Sequence, residues 1–300
     1  MHDLIIIGAG PAGLTAALYA GRSRLDVLML ERMAVGGMIL MSETIENFPG
    51  FPGGIPTQDL MQRMREQVEN LGVKISTEEV SGIDCKNKLV KTGTGEYSAR
   101  AIVIAVGAKP RRLNVPGEDK LTGRGVSYCA TCDAPFFKGK KVIVVGGGNA
   151  VAEEALYLTR FAESVSIVHR RDELRASAIL QERLRENNKI NFILSSKVTE
   201  ISGGSKVESL KVKDLKTNEE KKLDCSGVFI YIGYDPDTGF LKNELQLDEA
   251  GFIITSEMMA TSEEGIFACG DCRKKSLYQV ITACAEGAIA ADSAYKHIFS

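Results

Sequence analysis

Tryptophan is absent from this 300-residue chain, and histidine occurs only three times. So small a stock of histidine leaves little with which to complete a zinc centre around cysteine. A basic excess is also missing: 37 lysines and arginines face 39 acidic residues, for a net charge of -2. That balance excludes a general nucleic-acid binder, whose footprint is a positive patch. The cysteines number seven, an odd count in a long chain. This excludes a complete disulfide framework and fits a reducing cytoplasm with one or two working thiol pairs. Long uninterrupted apolar runs are lacking too. The uncharged segment Leu4 to Gly21 is broken by Gly8, Gly10, Pro11 and Gly13 and follows Asp3 rather than a basic leader. A spanning helix or signal segment does not carry that cluster, so no membrane association is expected. The segment reads as a buried strand, a tight turn and a helix start.

What is present is a globular composition, 44% hydrophobic and 25% charged with 30 glycines, in a length that suits two domains. A repeat organises it. Leu4 to Gly13 aligns with Val142 to Val151, and at the same offset Val27–Leu30 aligns with Val165–Val168. Each copy reads apolar strand, glycine turn, helix, apolar strand, the pattern of a βαβ unit with parallel strands. The first copy carries Gly8-x-Gly10-x-x-Gly13. Gly8 allows a tight turn, Gly10 lets the backbone approach a pyrophosphate, and Gly13 lets helix and strand pack closely. Pro11 and Ala12 open the helix whose free N–H groups favour the anion. Glu31, at the end of the second strand, can accept from ribose hydroxyls.

The second copy has Gly146, Gly147 and Gly148, but Val151 stands at the third glycine position, which should push helix and strand slightly apart. Asn149 and Ala150 begin its helix. The position matching Glu31 is His169, followed by Arg170 and Arg171, with Arg175 beyond. A carboxylate there repels a 2′-phosphate, whereas a His-Arg-Arg cluster attracts one. The first copy is therefore expected to hold a dinucleotide without a 2′-phosphate, such as FAD, and the second NADPH. Together they imply hydride transfer from NADPH to FAD.

Cys129 and Cys132 lie just before the second repeat. Two cysteines separated by two residues can hold half a zinc site, staple a fold or shuttle electrons. The other such pair, Cys269 and Cys272, is too distant for a compact zinc module. A redox couple has a physical basis, because proximity of the sulfurs depresses one thiol's pKa. Asp133 follows the pair, as a proton donor or as an ordinary turn aspartate. For Cys269 and Cys272 the readings are buried filling or a second thiol couple. Cys85, Cys225 and Cys284 lie in apolar or strand contexts and are expected to be inert.

"CATCD" between the two glycine motifs, with "GAGPAG", Gly36-Gly37, "ENFPG" at Glu46–Gly50, "GGGNAVAEEALYL", "HRRDELRAS" and "GIFACGD…YQVITACAEGAIAA", resembles the bacterial low-molecular-weight thioredoxin reductases, from about Leu4 to Ala291. The resemblance implies an α/β fold of two Rossmann-like three-layer domains. An FAD domain, residues 1–113 and 241–300, would be interrupted by an NADPH domain, residues 114–240, carrying the redox-active pair. It implies that Cys132 faces the flavin, that Cys129 attacks the thioredoxin disulfide and that Asp133 is the acid. FAD would be held by the Gly8–Gly13 turn, by Glu31 to Met38 (with Arg32, Gly36 and Gly37), and by Asn47, Gly107, Gly270, Asp271, Tyr278, Gln279 and Val280. NADPH would be held by Gly146, Gly148, Asn149, Ala150, His169, Arg170, Arg171, Arg175 and Gly233. A cytoplasmic homodimer is implied, whose NADPH domain rotates on connectors near Arg112–Glu118 and Gly233–Leu241. Two departures stand out: Met38 where the family usually has glutamine, and Tyr278 where arginine commonly precedes Gln279. Rival expectations are a flavin reductase serving a peroxiredoxin and a non-catalytic flavin redox sensor. The first usually carries an extra N-terminal domain, whereas this chain starts at the FAD strand; the second needs no 2′-phosphate cluster.

The remaining segments give strands over Ser81–Lys91 and Tyr97–Val106 and an amphipathic helix over Pro56–Leu71. A hairpin is expected from Val207–Val212 and Lys221–Cys225, a buried strand over Val228–Ile232 and a final helix over Tyr278–His297.

Overall fold

The computed structural model describes residues 1–41, 44–241 and 243–300. The chain divides into two compact units: Met1–Lys109 with Asp235–Ser300, and Pro110–Tyr234. These divisions fall a few residues before those expected at 113/114 and 240/241. Local bonding accounts for the difference. Leu113 and Asn114 donate their N–H groups to Glu118 (3.0 and 2.7 Å), and Arg111 donates to the Gly233 carbonyl (2.9 Å). Thr238 donates from its hydroxyl to the Gly251 carbonyl (2.7 Å) and Leu241 is fully buried, so Asp235 onward belongs with the C-terminal segment.

In the first unit, a parallel sheet runs in the order Lys74–Thr77, Val27–Glu31, His2–Ile7, Glu96–Ile104 and Ile266–Ala268. The alternation of strand side chains sorts its core into two layers. Leu4, Ile6, Met29 and Val103 pack on one face with Leu14, Ala290 and Ala294 from the helices Pro11–Arg22 and Val280–Phe299. Ile5, Ile7, Leu28 and Ile104 pack on the other with Leu241, Leu245 and Ile253. The strand Glu96–Ile104 serves twice. Its end from Ala99 on pairs in the parallel sheet, while Glu96–Ser98 joins an antiparallel meander with Leu89–Thr92 and Val80–Asp84. Ser81–Lys91 is therefore a hairpin rather than one strand. Its turn is set by Asp84, whose carboxylate accepts from the Asn87 N–H and side-chain amide (2.9 and 2.8 Å). The amphipathic helix runs over Thr57–Glu69 and buries Leu60, Met61 and Val68, leaving Leu71 beyond it and 40% exposed.

The second unit repeats the plan. Its parallel sheet has the order Val126–Ser127, Gly227–Tyr231, Lys141–Gly146, Ser164–Val168 and Ile190–Ile193. Val142, Val144, Ile167 and Phe229 face the helical layer around Ala155 and Leu158. Ile143, Val145 and Ile230 face an antiparallel sheet of Ser196–Ser202, Ser209–Asp214 and Glu220–Asp224, which supplies Val198, Ile201, Leu210 and Val212. The expected hairpin is present, and Ser196–Ser202 adds a strand to it. Both units are thus three-layer α/β structures.

Glu118 is 1% exposed and accepts from the Leu113 and Asn114 amides and from the Tyr128 phenol (2.8 Å). Glu118→Ala leaves these donors buried and unmatched. Amide hydrogen exchange should accelerate about 10- to 100-fold at residues 110–128 and stay unchanged in the first unit. Unchanged protection at 110–128 would show that the carboxylate does not organise the segment.

Candidate active site

The first glycine turn is built as the spacing predicts. Gly8 has φ 102°, and a Cβ there would lie 2.5 Å from the Ala105 carbonyl oxygen. A Cβ on Gly13 would lie 1.9 Å from the Gly8 oxygen, so no larger residue fits while the helix starts this close to the strand. Gly10 is different. A Cβ there would meet Gly36 O and Gly37 Cα only at 3.9 and 4.0 Å, an ordinary contact. The protein's own packing does not demand that glycine; a side chain would instead fill the cradle between Gly10 and Gly36–Gly37. The helix above has Gly10 as N-cap, no side-chain cap and Pro11 in its first turn. Such a glycine-lined cradle under unsatisfied helix N–H groups fits a pyrophosphate.

Glu31 closes the same turn: its carboxylate accepts from the Ala9 N–H (2.7 Å) and the Met33 N–H (3.1 Å). Each oxygen keeps a further lone pair for a ribose hydroxyl. Arg32 pairs with Asp237 at 2.7 Å, and Met38 is 37% exposed. Asn47 donates to the Gln279 side-chain oxygen (3.0 Å), so these two candidates meet although 232 residues apart. Gln279 also caps the helix Val280–Phe299 through a reciprocal arrangement with Thr282.

A buried charge cluster holds the remaining candidates. Gly270 (φ 78°) donates its N–H to Glu286 (2.8 Å), which also pairs with Arg273 (3.0 Å). Lys275, whose side chain is 5% exposed, lies 3.4 Å from Glu286 and 2.7 Å from Asp271 Oδ1. The Asp271 contact is an ion pair not aligned as a hydrogen bond. The Lys275 ammonium also sits 5.4 Å over the Tyr278 ring, and Tyr278 tilts against Phe252. The loop therefore keeps a cation beside the tyrosine that replaces the family's usual arginine. Sequence reasoning missed Glu286 and Lys275. Helical spacing puts Glu286 on the last helix but does not show that it turns toward Gly270. Gly107 (φ 69°) has open space where a Cβ would be, and its carbonyl accepts from the Asp237 N–H (3.3 Å).

The second glycine turn solves the same problem differently. A Cβ on Gly146 (φ 140°) would lie 2.6 Å from Val151 Cγ2 and 2.3 Å from the Tyr231 carbonyl oxygen. The valine at the third position thus uses the space that Gly146 leaves. Gly148 is open and caps the helix Asn149–Leu158 without a side-chain bond. Asn149 instead accepts from the Ser177 N–H (2.8 Å), while Ala150 lies exposed beside it. The arginines Arg170, Arg171 and Arg175 are exposed, and the Arg175 N–H donates to the Gly147 carbonyl (2.6 Å). His169 departs from expectation as a member of a cationic cluster. It is 5% exposed, packed where a Cβ on Gly147 would come within 2.3 Å of the ring. Burial, then the charges of Arg175, Arg171 and Arg170, push its pKa down, so it is neutral. Its Nε2 is buried without a hydrogen-bond partner. That orphaned atom beside Gly147 and three exposed guanidinium groups fit a phosphorylated dinucleotide. Gly233 (φ 114°) lies against Arg111 in the same unit.

Cys129 and Cys132 form a disulfide with Cα atoms 5.4 Å apart, on the short helix Ala130–Asp133. The Cys129 N–H donates to Ser127 Oγ (3.1 Å), the Ala130 N–H to the Tyr231 phenol, and the Asp133 N–H to the Cys129 carbonyl (3.2 Å). Thr131 Oγ1 lies 3.3 Å from Cys129 Sγ. Both cysteines and Asp133 are half-buried. The other five cysteines are free. Burial pushes the Cys85, Cys225 and Cys272 thiols up to about 12 and raises Cys269 well above the ordinary thiol value. Cys272 donates to the Ile104 and Cys269 carbonyls (3.5 and 3.2 Å). Cys269 and Cys272 are therefore protonated packing groups beside Gly270. Among the described residues no cluster of three His, Cys, Asp or Glu side chains is placed to hold a metal, and no helix is long and apolar enough to cross a membrane.

Two nucleotide folds and one closed, half-buried dithiol define a flavin- and nicotinamide-dependent disulfide oxidoreductase. The pattern of the family described as pyridine nucleotide-disulphide oxidoreductase matches residues 2–287. A thioredoxin reductase of Peptoclostridium acidaminophilum is 45% identical, with 99% of this chain and 97% of the relative covered. One of Bacillus subtilis is 47% identical, covering 99% and 95%. The crystal structure of thioredoxin reductase from Streptococcus pyogenes superposes with a TM-score of 0.95 at 45% identity, covering 100% of this chain and 98% of that one. The chain belongs to the pyridine nucleotide-disulphide oxidoreductases, in the branch of the low-molecular-weight thioredoxin reductases. It is an NADPH-dependent flavoprotein oxidoreductase whose cofactors are FAD and NADPH.

Gly13→Ala places a methyl group 1.9 Å from the Gly8 oxygen, so helix and strand must separate. The purified variant should retain less than about a tenth of the flavin, read from its visible absorbance, since the pyrophosphate cradle depends on that approach. Wild-type flavin content would refute the assignment of Gly13.

Proposed function

We propose that the chain reduces the disulfide of thioredoxin with electrons from NADPH. The observation that carries this reading is the closed Cys129–Cys132 pair in the same unit as the arginine-flanked glycine turn. FAD would rest on Gly8–Gly13, Glu31 and Gly36–Gly37, with Asn47, Gly107, Gly270, Asp271, Gln279 and Val280 completing the first unit's site. NADPH would rest on Gly146, Gly148, Asn149 and Ala150, with its 2′-phosphate read by Arg170, Arg171 and Arg175 and its position limited by His169 and Gly233. FAD held there would supply two-electron transfer between NADPH and the Cys129–Cys132 disulfide.

The residues then act in sequence. Reduction opens the disulfide to a Cys132 thiol and a Cys129 thiolate. The thiolate attacks one sulfur of the thioredoxin disulfide, forming a mixed disulfide as the other sulfur leaves and takes a proton from Asp133. Cys132 gives its proton to the Asp133 carboxylate and attacks Cys129, re-closing the pair and releasing the second thioredoxin sulfur, which takes a proton from solvent. The net change is NADPH, a proton and a disulfide going to NADP+ and a dithiol. A cytoplasmic site is supported by five thiols that stay free while one pair is closed. A homodimer is supported by exposed apolar residues on the outer face of the last helix, among them Ile281 (43%) and Phe299 (61%). Light scattering of the purified enzyme would return the mass of two chains, and a monomer would refute it.

Air-oxidised enzyme, denatured for the assay, should titrate five thiols, and NADPH added to the native enzyme before denaturation should raise the count to seven. No rise with flavin present would end the reading. In Cys129→Ser/Cys132→Ser, five thiols should persist after oxidation; a loss of two would instead expose a Cys269–Cys272 couple. Arg170→Ala/Arg171→Ala should raise KM for NADPH about 10- to 100-fold while leaving NADH kinetics nearly unchanged, because only the 2′-phosphate contacts are lost. Equal losses with both nucleotides would reject the phosphate role.

A further inference from the structure

Tyr231 has no part in the scheme above, yet it joins two of its components. It ends the strand Gly227–Tyr231, which lies in the second unit's sheet next to Lys141–Gly146. Tyr231 stands opposite Gly146, and its carbonyl oxygen occupies the space a Cβ on Gly146 would need, 2.3 Å away. Its ring packs against the core cluster of Val142, Val144 and Phe229. Its phenol oxygen accepts the N–H of Ala130, the residue that follows Cys129 inside the redox turn. Backbone and side chain of one residue therefore touch the glycine turn and the dithiol turn of the same unit.

We propose that Tyr231 is a positioning residue that holds the Cys129–Cys132 turn in register after the disulfide opens, and so sets the reduction potential of the pair. This rests on the reading of Cys129–Cys132 as the redox couple. In the oxidised enzyme the sulfur–sulfur bond itself fixes the turn. Two electrons and one proton convert it to a thiol and a thiolate, and the covalent ring is gone. A four-residue helix does not hold itself in water. Among the restraints left are the Ser127–Cys129 bond, the bond from the Asp133 N–H to the Cys129 carbonyl, Tyr231, the Tyr234 phenol on the Tyr128 carbonyl (3.2 Å) and the burial of Ala130 in the core. The first two are local to the turn. Tyr231 comes from another strand, 101 residues away in sequence, and ties the turn to the sheet. Its oxygen is the acceptor in this bond, so opening the disulfide removes neither partner. A tethered dithiol re-closes more readily than a loose one, because less chain entropy is lost in bringing the sulfurs together. Tyr231 thus stabilises the disulfide form, making the pair harder to reduce and its reduced form a better donor.

The test uses full-length, flavin-loaded Tyr231→Phe, which keeps the ring and removes the oxygen. The variant and wild type are equilibrated in dithiothreitol redox buffers, quenched by alkylation and weighed. The oxidation equilibrium constant should fall 3- to 10-fold, about 15–30 mV toward easier reduction, with bound flavin and its bleaching by NADPH unchanged. Tyr157→Phe, which alters a ring packed on Phe161 in the same unit, should leave the constant at the wild-type value. A Tyr231→Phe constant within twofold of wild type overturns the proposal. Should that variant not fold, the wild-type chain decides. Its Ala130 amide must stay protected from hydrogen exchange in oxidised and reduced enzyme alike, and free exchange once reduced overturns it too. A wild-type pair that NADPH cannot reduce at all would instead remove the functional reading beneath.

Discussion

Everything in the first unit depends on how near its first helix can come to its first strand. The distance from the Gly8 oxygen to the place of a Cβ on Gly13 leaves no room for any side-chain carbon. That approach aims unsatisfied helix N–H groups over Gly10, and Gly37 completes the floor from the other side. The second unit reaches a similar turn by moving the missing carbon. Val151 is accommodated because Gly146, rather than the third position, supplies the gap. One repeat thus supports two packings, with the electrostatics diverging at the far end of the second strand, where one has a carboxylate and the other guanidinium groups.

Charges are handled in opposite ways in the two units. Around Gly270, two basic and two acidic side chains neutralise one another, and Glu286 fixes the Gly270 amide. A buried cluster of that kind acts through orientation, since desolvation opposes most of the attraction. At the second glycine turn the arginines are solvated and unmatched by buried carboxylates, as an anion-binding face requires. His169 sits between the two regimes, close to charge but kept neutral by its burial.

Much of this was readable from residues alone. Gly8, Gly10, Gly13 and Glu31 lie where the motif puts them, because spacing fixes which groups meet in a strand–turn–helix. The closed pair at Cys129–Cys132 and the inert thiols at Cys85 and Cys225 also follow from local context. The depth of His169 was not legible, because a sequence shows a residue's type and not its burial. Ser196–Ser202 was missed because a register shift between Val198 and Glu200 breaks its two-residue alternation. Glu286, Lys275 and Tyr231 act across long separations, and no local pattern marks which distant backbone amide a side chain will meet.

The interrupted first unit has a consequence for synthesis on the ribosome. All of Pro110–Tyr234 emerges as one continuous stretch, whereas the opening unit still lacks its strand Ile266–Ala268 and its helix Val280–Phe299. The inserted unit can therefore reach its native form on the nascent chain, domain by domain as translation proceeds. The earlier-made segment must wait, its sheet short of an edge and its Gly10 cradle short of Gly270. Prosthetic-group capture is thereby deferred until the helix Val280–Phe299 has been made, and a chain truncated between Tyr234 and that helix would leave the ribosome with its dithiol unit folded and no flavin.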